Sequence, residues 1–430
     1  MKRFLNTISA FQFYQLVKYA TLILIGVVFT KTTLTPNAIG QYETFVFIAG
    51  AVSFFWLNGL LKALLPLSSQ KSKSNIFSAF VVIQLFSIVA AILLFLLHPF
   101  FSKFLLNAKE IPEIWLLMAF LVFGVPANLA EYFYLIKKKN RSLLVYALVS
   151  FSIQFILVVL PPVLGYGIEM ALKGLVAAAL LRYFWIWILL VSNGELHFSP
   201  AFVKEHLKLG GPLIAATLLS GSAQFVDGFI VTSKFSNEVF AVFRYGAREL
   251  PLALLLSNAL SNALLPDFAK PENLKQNLQK LKSSVTRLMH FLFPLTIVLL
   301  LTSHIIFPII FNAKFSESAT IFNIYLLLVI SRLLLPQTIL NGLKITNPIM
   351  QAAFFELIIN VILSLVFVQF LGIAGIAFAT FIAYLFEKIY LVTVVKTKLK
   401  INLSEYVPVN KYAIYSVGII VIFIFAELIL

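Results

Sequence analysis

Apolar stretches of about twenty residues or more, parted by short polar breaks, fill this chain almost from end to end. The hydrocarbon core of a bilayer, roughly 30 Å thick, takes about 20 apolar residues per helix. The pattern predicts helical spans near 7–30, 40–66, 76–98, 112–136, 142–165 and 171–192. A second set is predicted near 208–233, 238–268, 284–311, 318–341, 349–371 and 373–395, and a last span at 411–430. The longest break, DFAKPENLKQNLQKLKSSVTR from Asp267 to Arg287, reads as a linker or a short surface helix. No break is long enough for a soluble domain.

The polar breaks alternate in charge. One set carries Lys2, Arg3, Lys71, Lys73, Lys137, Lys138, Lys139, Arg141, Lys204 and Lys208. It continues with Lys270, Lys275, Lys280, Lys282, Arg287, Lys344, Lys396, Lys398, Lys400 and Lys411. The other set holds Lys31, Lys103, Lys109, Lys173, Lys234 and Lys314. A bias of 20 to 6 places the first set, and with it the N-terminus, in the cytoplasm. The first 29 residues superficially resemble a signal peptide. Lys18 interrupts their apolar run and no A-x-A site follows, so a retained first span is expected.

Composition agrees with the pattern. The 430 residues are 61% hydrophobic and 12% charged, with a mean hydropathy of +0.98. No soluble fold of this length hides so much apolar surface. The absence of cysteine excludes disulfides, thiolate metal sites and a Cys nucleophile. His98, His197, His206, His290 and His304 are scattered without ligand spacing, so neither a metal nor another cofactor is expected. The net charge of +16 lies in short loops. That distribution fits anionic lipid headgroups and argues against nucleic acid.

The chain also repeats itself. Asn58 to Pro66 (NGLLKALLP) matches Asn258 to Pro266 (NALSNALLP) at an offset of 200. Ile136, Lys137 and Asn140 match Leu343, Lys344 and Asn347 at an offset of 207, as Gly165 matches Gly372. Two near-register tracts favour duplication of a six-span unit. Six is even, so both copies start on the cytoplasmic side, as in parallel transporter repeats. The expected division is a six-helix lobe at 1–200, a second at 201–400 and an added helix at 401–430. Such lobes would enclose a cleft that opens to each side in turn.

Three tracts carry a family resemblance. KTTLTPNAIGQYETFVFIAGAVSFFWLNGLLKALLP resembles the first hairpin of polysaccharide (O-antigen) flippases of the multidrug/oligosaccharidyl-lipid/polysaccharide exporter superfamily. GGPLIAATLLSGSAQFVDGFIVTSKFSNEVFAVFRYGARELP, with Asp227 and Tyr245, resembles their seventh and eighth spans. NPIMQAAFFELIINVILSLVFVQFLGIAGIAFATFIAYLFEKIY, with Gly372 and Gly375, resembles their eleventh and twelfth. The resemblance implies an all-α, V-shaped, two-lobed fold and transfer of undecaprenyl-pyrophosphate-linked sugar repeat units. Members commonly have twelve or fourteen helices, whereas thirteen are read here.

Charges inside the spans are the candidate chemistry, because each costs roughly 3 kcal/mol at the bilayer centre. The cations are Lys18, Arg182, Arg244, Arg248 and Arg332, with Lys62 and Lys388 nearer span ends. The anions are Glu131, Asp227, Glu249, Glu356, Glu387 and Glu427. Arg244 and Arg248 fall one helical turn apart and are expected to share a face. If the resemblance holds, Lys18, Arg244, Arg248 and Arg332 converge on the cleft, where arginine's planar fork suits a pyrophosphate, while Arg182 either joins them or serves helix packing. Asp227 is either an ion-coupling group or a brace that neutralises Arg244 and Arg248. Glu356 and Glu387 either relay ions or are locally paired. Glu131, Lys62 and Lys388 are read as interfacial, Glu427 as reaching water, and His290 and His304 as lacking an obvious partner. Asn58 and Asn258 are read as interhelical hydrogen-bonding groups.

The expected function is therefore a carrier with no covalent chemistry, flipping a lipid-linked oligosaccharide for O-antigen or capsule across the bacterial inner membrane. It is expected to act as a monomer, alongside a glycan polymerase. A cation-coupled drug exporter fits less well, because the deep charges are mainly basic. A peptidoglycan-precursor flippase is a third carrier reading. A polyprenyl-dependent polymerase or glycosyltransferase would need an external loop or catalytic domain that the pattern lacks.

Overall fold

The computed structural model describes residues 7–69, 75–106, 111–248, 251–268, 273–343 and 345–429. The expectations at Lys2, Arg3, Lys71, Lys73, Lys109, Glu249, Lys270 and Lys344 fall outside them. Among the described residues every regular element is helical. That follows from the composition. In hydrocarbon an open backbone N–H or C=O costs several kcal/mol, and a helix closes all of these groups within one segment.

Two compact units emerge, and each is built around its own core. The first comprises Met1–Gly221 and Thr232–Ala241. Its helices are α1 (Thr7–Phe29), α2 (Pro36–Ser69), α3 (Ile76–Phe100), α4 (Ile114–Ile136), α5 (Asn140–Val163), α6 (Ile168–Ser192) and α7 (Pro200–Gly221). α2 packs along α7 with the backbones almost touching. A Cβ on Gly59 would lie 2.7 Å from the Ile214 backbone, and His206 Nε2 donates to Leu60 O at 2.8 Å. α5 and α6 form an antiparallel hairpin. Gly165 turns it at φ +87°, and Gly174 lies so close to α5 that a Cβ there would fall 2.0 Å from Leu157 O. α4 is not a continuous helix. Phe120–Gly124 winds as a wider π turn, and Pro126 follows.

The second unit comprises Ser222–Val231 and Val242–Leu430. From Ser222 onward the helices are α8 (Ala223–Lys234), α9 (Asn237–Gly246), α10 (Pro251–Phe268), α11 (Leu274–Ile310), α12 (Ser318–Arg332) and α13 (Pro336–Gly342). They are followed by α14 (Asn347–Leu399), the short α15 (Leu403–Tyr406) and α16 (Val409–Ile429). At 1.5 Å per residue, the 53 residues of α14 would stretch roughly 80 Å if straight. They do not run straight: Gly372, at φ +57° and ψ −138°, breaks them into 347–371 and 373–399. Three contacts show the two halves lying side by side and antiparallel. Tyr390 Oη donates to Gln351 Oε1, Asn360 Nδ2 to Thr380 Oγ1, and Gly375 abuts Phe367. Gly165 and Gly372, matched in sequence at an offset of 207, both stand at the turns of their hairpins with positive φ, which glycine adopts without a Cβ penalty.

The thirteen predicted stretches all fall on helix, with three differences. Length and hydropathy mark nine described helices as able to cross a membrane, or ten when the bent pair α12 and α13 (47°) counts as one span. The stretch 208–233 is divided at Ser222, and 238–268 is divided after Gly246, whereas 349–371 and 373–395 run together in α14. Finally, the expected linker after Asp267 is largely the start of α11. Its Asn277, Leu278, Leu281 and Val285 are buried on one face. On the polar side, Lys280 pairs with Asp267 at 2.5 Å and Lys282 donates to Ser404 O at 2.6 Å.

The hairpin contact at Gly174 yields a direct test. Gly174→Val forces α5 and α6 apart and should cost about 1–3 kcal/mol, as overpacking does. Gly167→Val, where a Cβ meets open space, should be neutral. Thermal stability of the detergent-solubilised protein, read by size-exclusion chromatography, separates the two.

Candidate functional site

Each unit gathers several of its charges into a polar cluster. In the first unit Lys18 of α1 and Arg182 of α6, both half-buried, line one cavity of about 190 Å³. Lys18 Nζ approaches Asn128 Oδ1 at 3.5 Å, while the Asn128 amide donates to Gly124 O and Val125 O, carbonyls beside the π turn. The Arg182 guanidinium lies 5.6 Å from the centre of the Phe151 ring, a cation–π arrangement. Glu131 is buried. It accepts a hydrogen bond from Tyr14 Oη and lies within electrostatic reach of Lys18 and Arg182. An aromatic wall of Tyr14, Tyr146 and Trp185 packs behind, where Trp185 Nε1 donates to Tyr134 Oη at 3.0 Å.

In the second unit the centre is Asp227 of α8, which is buried. Tyr325 Oη and Thr380 Oγ1 each donate to its Oδ2 at 2.6 Å, and Asn360 Nδ2 lies 3.4 Å from Oδ1. Four elements thus meet on one carboxylate: α8, α12 and both halves of α14. One helical turn before Asn360, the buried Glu356 lies within electrostatic reach of Glu387, Lys388, Asp227 and Arg332. Lys388 pairs with Glu387 at 2.7 Å. Arg332, at the end of α12, stacks 5.7 Å from the centre of the Tyr384 ring. Arg244 lies in α9. Arg248 lies beyond the end of that helix, with its guanidinium 4.8 Å from the centre of the Tyr245 ring. The helix stops at Gly246, where a Cβ would strike Ser318 O at 2.4 Å, so Arg244 and Arg248 do not share one continuous helical face.

Several assignments from sequence are corrected. Glu131 and Lys388, read as interfacial, are buried in the two clusters and do not snorkel. Glu427 does not simply reach water: it accepts from Asn323 Nδ2 at 2.6 Å and pairs with His304 Nε2 at 3.1 Å. His290 also has a partner, Tyr415 Oη at 2.8 Å. Asn58 and Asn258 are both exposed. Lys62 is exposed on α2. The residues that sequence reasoning misses are the uncharged members: Tyr14, Asn128 and Gln154 in the first cluster, Tyr325, Asn360 and Thr380 in the second. One signal is available. Glu356, Asn360 and Ser364 recur every four residues along an otherwise apolar helix, and all three are buried.

Long apolar helices with charges drawn into internal polar clusters define a polytopic membrane protein, and solved structures share the fold. A lipid II flippase MurJ in an inward closed conformation superposes with a TM-score of 0.72 at 19% identity, over 98% of this chain and 93% of that one. A multidrug resistance MATE family transporter of the MOP superfamily, in an inward-facing conformation, gives 0.61 at 13%, over 94% and 95%. A Pyrococcus furiosus transporter of the MOP superfamily, described by the reverse polarity of its binding pocket, gives 0.59 at 14%, over 92% and 96%. No curated protein sequence matches the chain. The profile of the polysaccharide biosynthesis protein family matches residues 33–320, two-thirds of the sequence, and the chain belongs to that family. It is a multi-pass membrane protein, and the polysaccharide family resemblance read from the sequence is borne out.

The Asp227 cluster predicts energetic coupling. Asp227→Asn should cost less in a Tyr325→Phe background than in the wild type, by about 0.5–3 kcal/mol, because the first change has already removed a shared hydrogen bond. A double-mutant cycle on thermal unfolding measures that difference. Strict additivity would mean that the contact carries no energy.

Proposed function

We propose that this protein is a transporter that flips an oligosaccharide repeat unit linked to undecaprenyl pyrophosphate, for O-antigen, capsule or a related surface polysaccharide. The observation that carries this reading is the set of arginines and lysine held within the membrane-spanning units. Lys18, Arg182, Arg244, Arg248 and Arg332 are the proposed contacts of the substrate's phosphates. Arginine presents a fork that meets two phosphate oxygens at once. The cost of keeping such groups in a membrane is understandable if they meet an anionic cargo. Membership of a polysaccharide biosynthesis family and a fold shared with a named lipid flippase support the same reading.

In this reading the protein works by alternating access in the bacterial inner membrane, with its N-terminus in the cytoplasm and its basic loops against anionic lipid. It acts as a monomer that hands its cargo to a glycan polymerase, and it does no covalent chemistry. Asp227, backed by Glu356 and Glu387, is the proposed ion-coupling group. The neighbour named for multidrug resistance keeps a second reading in view, export of cationic drugs. The preponderance of intramembrane cations over lone carboxylates weighs against it.

Deletion of the gene should abolish the surface glycan and leave its lipid-linked intermediates on the cytoplasmic leaflet. Normal glycan in a strain with no second carrier would overturn the proposal. At residue level, Arg332→Ala should weaken apparent affinity for the lipid-linked substrate about 10- to 150-fold, the worth of a charged hydrogen bond of about 1.5–3 kcal/mol. The readout is transport into vesicles at varied substrate concentration. An unaltered concentration dependence in this variant removes Arg332 from the substrate contacts.

A further inference from the structure

One buried histidine lies outside both polar clusters. His206 of α7 is 0% exposed, and its Nε2 faces Leu60 O of α2 at 2.8 Å. A carbonyl oxygen only accepts, so Nε2 carries the proton and Nδ1 holds a lone pair. Nδ1 is buried and has no partner among the described residues. The Phe202 ring, itself buried, packs against the imidazole with its centre 5.5 Å away. A second proton on the imidazole would bring a charge into an apolar contact and leave an N–H with no acceptor, and burial makes both costly. His206 stands just before the predicted span at 208–233. Burial pushes its pKa below the usual imidazole value, and the hydrogen bond to Leu60 O offsets only part of that.

The ionisable groups on the adjoining stretches lie outside this contact. The main neighbours of α7 are α2 and α3. Lys62 of α2 is exposed. α3 meets the start of α7 through Ser78, whose hydroxyl accepts from Ser199 N at 2.9 Å and does not ionise. On α7 itself Lys204, Glu205 and Lys208 are exposed, and in the loop before it Glu195 is held by Lys137. The two backbones are close on both sides of the ring. A Cβ on Gly59 would lie 2.7 Å from the Ile214 backbone, and one on Gly210 would lie 3.1 Å from Leu60 Cδ2 and 3.9 Å from Ala63 Cβ. Such dense packing does not deform by degrees; it is either closed or parted.

We propose that His206 is a pH-sensitive latch, which fastens α7 to α2 while its imidazole is neutral and releases it when the ring takes up a proton. Above the usual imidazole range the ring is neutral whether the contact is closed or parted, and the latch is shut. As pH falls through that range, the parted state takes up a proton that the closed state resists, so acid favours parting. The position gives the latch its reach. α7 belongs to the first unit, and the chain passes into the second at Ser222, directly after this helix. In the proposed orientation this end of α7 meets the cytoplasm, so the latch responds to cytoplasmic acid. That placement rests on the flippase reading; the latch itself does not.

The test uses the full-length protein in nanodiscs. The chain has no cysteine, so Ala63→Cys places a single thiol in the buried contact between α2 and α7. Leu196→Cys, exposed in the loop before α7, serves as the reference. Each thiol is reacted with a dithiopyridine reagent, which also works in acid, at about pH 7.5 and about pH 5.5, on either side of the usual imidazole value. With one linked proton, the rate at Ala63→Cys relative to the reference should rise about three- to tenfold in acid. His206→Gln keeps a donor for Leu60 O but takes up no proton, and its relative rate should be the same at both pH values. His197→Gln, at an exposed histidine, should keep the rise. Because His206→Gln can itself loosen the contact, each variant is compared with itself across pH: a higher relative rate that does not change with pH still assigns the response to His206. An unchanged relative rate in the chain with His206 intact, or a rise that persists in His206→Gln, would overturn the latch. Neither result depends on the cargo, so failure here leaves the flippase reading to its own experiment.

Discussion

A full charge in hydrocarbon is expensive, and this requirement orders the interior of the protein. Helices satisfy the backbone automatically, but Lys18, Arg182, Asp227, Glu356 and Arg332 must each find a partner, water or cargo. The chain meets the requirement by drawing charges from separate helices to shared points. Asp227 receives donors from α12 and from both halves of α14. Glu131 takes one from Tyr14 while Lys18 and Arg182 stand near. Lipid-facing positions on the same helices, such as Ile188 of α6 and Phe370 of α14, are apolar and exposed.

Breaks in the helices coincide with these charges. The π turn of α4 borders the Lys18–Arg182 cavity. Arg248 follows the end of α9, and Arg332 ends α12 just before the 47° bend into α13. Irregular backbone at membrane depth is tolerated only where protein or water meets its open groups. The polar clusters supply such surroundings. A break, in turn, lets a long side chain leave the lipid-facing surface of a regular helix. Charge placement and helix irregularity are therefore two aspects of one solution.

Much of this is legible in the sequence. Apolar run length places most of the helices, since the bilayer sets that length directly, although α7 and α11 begin at Pro200 and Leu274, well before their apolar runs. The offset matching Gly165 with Gly372 marks two equivalent hairpin turns. Lys18 and Arg182 stand out because a charge interrupts an apolar run. Depth along a helix is readable in this way, but direction around it is not. When nearly every face is apolar, periodicity gives no inward side, so Glu131 and Lys388 look interfacial although both point inward. Thr380, Asn360 and Gln154 escape notice because uncharged polar residues are common in membrane helices and become informative only once their neighbours across the packing are known. The split of α8 from α7 at Ser222, in a stretch that reads as one apolar run, is hidden for the same reason: it follows from tertiary packing.

The central claim is that intramembrane charges sit in polar, water-reached pockets while the neighbouring surface faces lipid. The chain contains no cysteine, so single thiols can be placed without background. In intact membranes, Ser53→Cys and Gln154→Cys on the cavity wall should react with a water-soluble, anionic thiol reagent. Ile156→Cys and Ile188→Cys lie on the outer surface of the same unit, where the reactive thiolate is disfavoured. The account predicts modification of the wall positions at least about tenfold faster than of the outer ones, the equivalent of one unit of thiol pKa or more. Equal rates at all four positions, or faster reaction on the outer surface, would contradict it.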